Sequence, residues 1–325
     1  MKIRKIYFCA AALLLVACQH DIVRPIDFSF TLDPSNTYLA GETLRFNFEG
    51  EADNILFYSG ETGHQYKYRD RYSVPMEQIE SVRLDVNIKA RYGDDQALEI
   101  YVTDSFEGLK GNDALSDRAT VKAMVEGGMQ GWTKLEWTDQ KEEWKACSYG
   151  EGENGPDLKA LAENFCIAFH WCPPSAERKQ RTYYINGSLH TELDGTEPVD
   201  TDLKELGLLS VMLNEEIEDP YHKNKGNGSI IFNQTNNGVI VFQGVDPYVL
   251  GYALDGWVFS TPMPLNRVVN DKAVVVKNLQ NYQRSFEYVF EEPGTYEVCF
   301  VVSNENYMQS ESKVFSQRIT ILEKL

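Results

Sequence analysis

The chain has 325 residues, enough for two or three domains with real cores, and 12% of them are aromatic, with 18 Tyr and 16 Phe. That composition favours pleated, half-buried surfaces over helices. The formal charge of -18 excludes a nucleic-acid partner and disfavours polyanionic ligands, because no extended basic stretch offsets it.

The first residues, "MKIRKIYFCAAALLLVAC", have a basic start (Lys2, Arg4, Lys5) and an apolar run from Ile6 to Ala17. The run is too short to span a bilayer as a mature helix. It reads as a signal peptide over 1–17, followed by a linker over 18–24. Leu15-Val16-Ala17-Cys18 resembles the bacterial lipoprotein signal, in which the Cys18 thiol is acylated before cleavage. Each buried CH₂ of an acyl chain then adds roughly 0.8 kcal/mol of membrane affinity. Loss of three cationic residues with the leader takes the formal charge from -18 to -21.

A first block, 25–79, reads as a small immunoglobulin-like sandwich. "AGETLRFNFEG" puts Leu44, Phe46 and Phe48 on one face, and "NILFYSG" is a second strand. "HQYKYR" reads as a third strand with Tyr66 and Tyr68 in phase. Between them, Ser59-Gly60-Glu61-Thr62-Gly63 predicts a hairpin loop with positive-φ positions. His64 and Glu61 sit there without a second metal-spaced histidine. They read as turn-holding groups whose charges pair with Arg69 or Arg71.

The middle block, 80–255, predicts seven strands: "SVRLDVNIKA", "ALEIYVTDSF", "WTKLEWT", "CIAFHW", "RTYYINGSLHTE", "GSIIFNQ" and "GVIVFQG". "PDLKALAEN" is a short helix at most. "TDLKELGLLSVML" reads as a second helix or a buried irregular segment. Strands without helical crossovers imply a jelly-roll-like sandwich, with an exposed insertion near 214–228. "GEGENG" (150–155) fits a dinucleotide spacing formally, but it lacks the preceding apolar strand and a full following helix. "DGTEPVDTD" (194–202) and "ERKQR" (177–181) read as solvated loops.

The last block, 256–325, repeats the sandwich logic. "SFEYVF" alternates Phe286, Tyr288 and Phe290, Pro293-Gly294 predicts a type II turn, and "TYEVCFVV" and "VFSQRITIL" follow as strands. The fold class is therefore all-β: tandem β-sandwiches, with immunoglobulin-like ends flanking a jelly-roll middle domain.

Four cysteines remain in the mature chain besides Cys18: Cys147, Cys166, Cys172 and Cys299. Cys166 and Cys172 lie roughly 20 Å apart along one strand-like run, beyond disulfide reach. A bridge from Cys147 to either of them stays open. C-x-x-C spacing is absent, so no metal site is expected. H-E-x-x-H and G-x-S-x-G are absent too, and small β modules are a poor frame for a deep cleft, so the chain reads as not an enzyme. Trp132, Trp137, Trp171 and Trp257 sit in strand-like runs and read as core. Trp144, Tyr149, Tyr221 and Tyr248 lie in polar loop sequence and are the candidate glycan-binding residues, since sugars stack their C–H faces on such rings.

"GETLRFNFEGEADNILFYSGETGHQYKYRDR" resembles the N-terminal module of a family of Bacteroides-type surface lipoproteins. "LEIYVTDSFEG", "GWTKLEW", "PDLKAL" and "FCIAFHW" resemble the galactose-binding-like jelly roll that follows it there. "NDKAVVVKN" and "EPGTYEVCFVVSNEN" resemble its closing immunoglobulin-like (PKD-like) module. Such proteins are similar to accessory glycan-binding lipoproteins of starch-utilisation-like systems. The resemblance implies a neutral glycan as ligand, a TonB-dependent transporter and its lid lipoprotein as partners, no cofactor, and an outer-membrane, lipid-anchored, cell-surface location. A structural or adhesive lipoprotein with no sugar site is the alternative, and a glycan-active hydrolase a weaker one.

Overall fold

The computed structural model describes residues 23–32, 37–150, 155–221, 228–234 and 239–324. The expected signal peptide, Cys18, residues 151–154 of "GEGENG" and residues 222–227 of the expected insertion lie outside them. The described chain forms two compact units. One joins the two ends, up to Arg71 and from Asn270 onward; the other is Tyr72–Val269.

The N-terminal segment supplies β1 (Asp27–Leu32), β2 (Tyr38–Leu39), β3 (Thr43–Glu51) and β4 (Asn54–Tyr58). The middle supplies β5 (Ile79–Arg91), β6 (Leu98–Thr103), helix α1 (Ala114–Glu126), β7 (Thr133–Leu135) and β8 (Trp144–Tyr149). It continues with β9 (Cys166–Trp171), β10 (Thr182–Leu193), β11 (Val199–Asp202), β12 (Leu209–Met212) and β13 (Ile230–Gln234). It ends with β14 (Val239–Phe242), the short helix α2 (Pro247–Leu250) and β15 (Gly256–Phe259). The C-terminal segment supplies β16 (Val274–Lys277), β17 (Ser285–Val289), β18 (Gly294–Glu305) and β19 (Ser310–Leu322).

The end segments are not two modules at 25–79 and 256–325. They interleave in one sandwich, with sheets ordered β1-β3-β17 and β16-β4-β18-β19-β2. Phe46 of β3 pairs with Leu32 on one side and Phe286 on the other. Phe57 of β4 lies between Phe300 and Val274. The reason is size. A block of roughly 50 residues cannot cover a Phe-rich sheet face by itself. Here Phe28, Phe46, Phe57, Phe290 and Phe300 share one buried core.

Two local expectations change with that pairing. Tyr66–Tyr68 is a 3-10 turn rather than a third strand, because β4 already has β16 and β18 as neighbours. Gly60 and Gly63 do take positive φ. Gly60 is also a close approach: a Cβ there would sit 2.8 Å from the Glu297 backbone. Gly294 has no positive φ and already begins β18, so Pro293-Gly294 is not a type II turn. That glycine instead leaves room for the Tyr296 ring, 3.0 Å from where its Cβ would be.

The middle unit is a second sandwich. Its sheets run β13-β14-β10-β5-β8, with β11 added beside β10, and β12-β15-β9-β6-β7. Leu84, Val86, Ile88, Phe169, Trp171, Tyr183 and Phe242 fill the space between. "TDLKELGLLSVML" is neither helix nor irregular core; Leu203–Glu205 is a 3-10 turn and β12 follows. Helix α1 has no counterpart in the sequence reading. It is only weakly amphipathic, burying Asp117 and Val121, and Asp113 caps it by accepting a bond from the Ser116 N–H. It belongs to a satellite cluster with Val211, Trp257 and Phe259 on the outer side of the five-stranded sheet.

Candidate functional site

The outer face of the six-stranded sheet follows from strand alternation. Ile88, Ala90, Tyr183 and Ile185 point into the core, so Lys89 and Tyr184 point out. Register then sets Trp144, Lys89, Tyr184 and Val241 in one cross-strand row. Trp144 and Tyr184 stand two strands apart, about 10 Å at ordinary strand spacing. The next row outward-facing along the strands carries Ala146, Asn87 and Asn186. The one after carries Ser148, Asp85, Ser188 and Asp202, followed by Arg83, His190 and Asp200.

This face is polar and pre-ordered. The Ser148 hydroxyl donates to Asp85 at 2.6 Å and Arg83 Nε donates to the other oxygen at 3.1 Å. Burial pushes the Asp85 carboxyl up, but those two bonds outweigh it and hold the group below the ordinary carboxylate range. His190 lies between Glu192 (2.8 Å) and Asp200 (2.6 Å), and bonds to both carboxylates raise its pKa. Beyond the Tyr184 end, Tyr92 is 43% exposed and held at φ 60°. The Lys179 ammonium lies 4.8 Å from its ring centre. Tyr92, Tyr184, Gln243 and Asp246 border a cavity of about 290 Å³.

The four aromatic candidates divide. Trp144 is 47% exposed and Tyr248 87%, as ligand-stacking rings must be. Tyr149 and Tyr221 are buried and do not offer the open ring face that stacking on a sugar needs. "EEWKACSY" is strand β8 rather than loop, so Trp144 and Tyr149, five residues apart, face opposite ways. Tyr149 donates its hydroxyl to the Glu136 carbonyl. Tyr221 donates to Asp117 at 2.7 Å under helix α1. Tyr92 and Tyr184 were hidden in sequence, one beyond a strand end and one inside a tyrosine pair whose first member is core.

The outer face of the five-stranded sheet holds a second polar cluster. Glu99, His170, Trp257 and Val211 form one cross-strand row. The His170 ring stacks on Trp257 at 4.0 Å and 10°. Its Nδ1 lies 3.0 Å from Glu99 and its Nε2 3.0 Å from Asp255. Burial opposes charge on His170, yet bonds to Asp255, Cys172 and Glu99 push its pKa up to about 11. The His170 bond, with Lys134 and Tyr101 assisting against burial, brings Glu99 down to about 2. Glu99, His170 and Cys172 place one oxygen, one nitrogen and one sulfur within 4.8 Å of one another, a set that could hold a metal ion. The sequence signal for it is His-x-Cys across the end of β9, where extended chain puts both side chains on one face. A search confined to C-x-x-C passes over it. Cys147, Cys166, Cys172 and Cys299 all carry free thiols, so the Cys147 bridge left open by spacing is not made.

The stretch 57–71 in the other unit is a structural knot. Tyr288 donates to Glu61 at 2.6 Å, while Arg69 pairs with Asp70 and Arg71 with Asp271 instead of with that carboxylate. His64 Nδ1 lies 2.7 Å from the Lys272 carbonyl oxygen. Arg69 and Arg71 lie over the rings of Tyr66 and Tyr68, at 4.1 and 3.7 Å.

Residues 17–139 match the family model Domain of unknown function (DUF5017). The matched stretch includes β1 to β7, and so takes in parts of both units. No curated protein and no solved structure matches the chain.

Proposed function

We propose that this chain is a non-catalytic, lipid-anchored protein that captures neutral glycan on the outer face of its six-stranded sheet. The observation that carries the reading is the row Trp144–Lys89–Tyr184, two rings on one face about 10 Å apart. Asn87 and Asn186 lie alongside, and their amides can donate to and accept from sugar hydroxyls. Each desolvated aromatic contact contributes on the order of 1 kcal/mol. Two or three, with hydrogen bonds, give roughly millimolar to micromolar affinity. The net charge favours a neutral ligand over a polyanionic one. Acylation at Cys18 supplies the anchor. The resemblance to accessory glycan-binding lipoproteins supports a galactose-binding-like middle domain, an outer-membrane surface location and a TonB-dependent transporter with its lid lipoprotein as neighbours.

The test is a glycan array with soluble protein beginning after Asp21, followed by calorimetry on any hit. Trp144→Ala and Tyr184→Ala should each weaken binding about fivefold, the equivalent of about 1 kcal/mol. Uniform silence across plant, host and microbial neutral glycans overturns the reading in favour of an adhesive or spacer role. A hit insensitive to both substitutions moves the site elsewhere.

A further inference from the structure

We propose that Glu99, His170 and Cys172 form a zinc-type metal site on the outer face of the five-stranded sheet. The inference does not depend on the glycan reading, which concerns the other sheet.

The donors are of the kinds that zinc takes, a carboxylate oxygen, an imidazole nitrogen and a thiolate sulfur, and they already lie within 4.8 Å of one another. Strand geometry assembles them. Glu99 on β6 and His170 on β9 are direct register partners, and Cys172 follows His170 by two residues on the same face. The Cys172 N–H bonds to the Ala97 carbonyl at 2.8 Å, which extends the pairing of those strands to the third donor. Ligands on a tetrahedral ion, with bonds of about 2.0–2.2 Å, stand about 3.3 Å apart. His170 Nδ1 and Glu99 Oε2 are 3.0 Å apart, so binding needs little movement there.

The surrounding groups hold the donors in place. Asp255 accepts from His170 Nε2, which commits that nitrogen to its proton and leaves Nδ1 for the metal. A carboxylate behind a ligating histidine orients the ring and raises its basicity. Lys134 holds the other oxygen of Glu99 at 2.7 Å and Tyr101 donates to Oε2 at 2.8 Å. Trp257 packs flat against the imidazole and restricts its rotation. On binding, nitrogen–, oxygen– and sulfur–metal bonds replace metal–water bonds of the hydrated ion, the displaced waters return to solvent, and the Nδ1 and thiol protons leave with them. Three protein ligands leave the fourth tetrahedral position to water or to an exogenous group.

The test is titration of the untagged, reduced protein with Co²⁺, then competition by Zn²⁺. The expected result is one ion per chain, with visible tetrahedral bands and a near-ultraviolet thiolate-to-cobalt band that Zn²⁺ abolishes. Cys172→Ser should remove the thiolate band, and Cys299→Ser should leave it intact. Asp255→Asn should weaken binding 10- to 100-fold with the spectrum retained, as expected of a supporting group. Far-ultraviolet circular dichroism confirms that each variant is folded. Cys172→Ser carries the test if a His170 variant does not fold, because Cys172 is only half-buried. Absence of a thiolate band in the wild type, or its persistence in Cys172→Ser, overturns the proposal.

Discussion

Replacing Phe300 by Ala tests whether the two ends of the chain form one cooperative unit. The Phe300 ring is fully buried in β18. It meets Phe30 at 4.7 Å, Phe57 at 4.9 Å, Phe46 and Phe48 at 5.3 Å, Phe28 at 6.3 Å and Phe286 at 6.5 Å. Five of those six neighbours belong to the N-terminal segment. Truncation of a buried Phe costs about 3–5 kcal/mol, a large share of the roughly 5–15 kcal/mol that holds a domain. At about 4 °C per kcal/mol for a unit of this size, the transition of that unit should fall by about 12–20 °C. Hydrogen exchange under graded urea is the assay. Amides of Thr43–Glu51, Asn54–Tyr58 and Gly294–Glu305 should lose protection together, while those of Ile79–Arg91 and Thr182–Leu193 keep theirs. Loss confined to Gly294–Glu305, with Thr43–Glu51 still protected, would mean two separate end modules and would refute the reasoning.

Tyr221→Phe should destabilise the middle unit by about 1–3 kcal/mol in urea unfolding, because it takes one donor from the buried Asp117 carboxylate. It should leave glycan binding unchanged; a loss of glycan affinity without loss of stability would restore Tyr221 as a binding residue. His190 gives a pH dependence. Its folded pKa is raised, so its contribution is full below the unfolded value of about 6.5 and is lost as pH rises through the folded one. The stability gap between wild type and His190→Gln should therefore be widest near pH 5 and close toward alkaline pH, and a constant gap would contradict the paired arrangement with Glu192 and Asp200. Tyr248→Ala, at a ring 87% exposed, should leave thermal stability within about 0.5 kcal/mol of wild type.

Much of the strand inventory was legible from alternation. Leu44 and Phe46, and Val298, Phe300 and Val302, are buried as period two requires. The all-β class followed from those patterns. Of the two rings in the candidate row, Trp144 was singled out by its polar neighbours and Tyr184 was not. Trp144 and Tyr248 are exposed rings, as loop-like polarity suggested. Tyr149 and Tyr221 misled because polar neighbours surround them in sequence. In β8 those neighbours are merely the outer face of a strand, and Tyr221 hides beneath helix α1.

Local patterning settled which residues form strands and which side of each strand is apolar, since alternation needs only a residue's near neighbours. Pairing was decided by the tertiary structure. Arg45 and Ser285 bond across 240 positions, and Glu99 and His170 meet across 71. The entropy of closing a loop grows only with the logarithm of its length. Distant strands therefore compete nearly as well as adjacent ones, and the partner that buries the most apolar face wins wherever it lies in the chain.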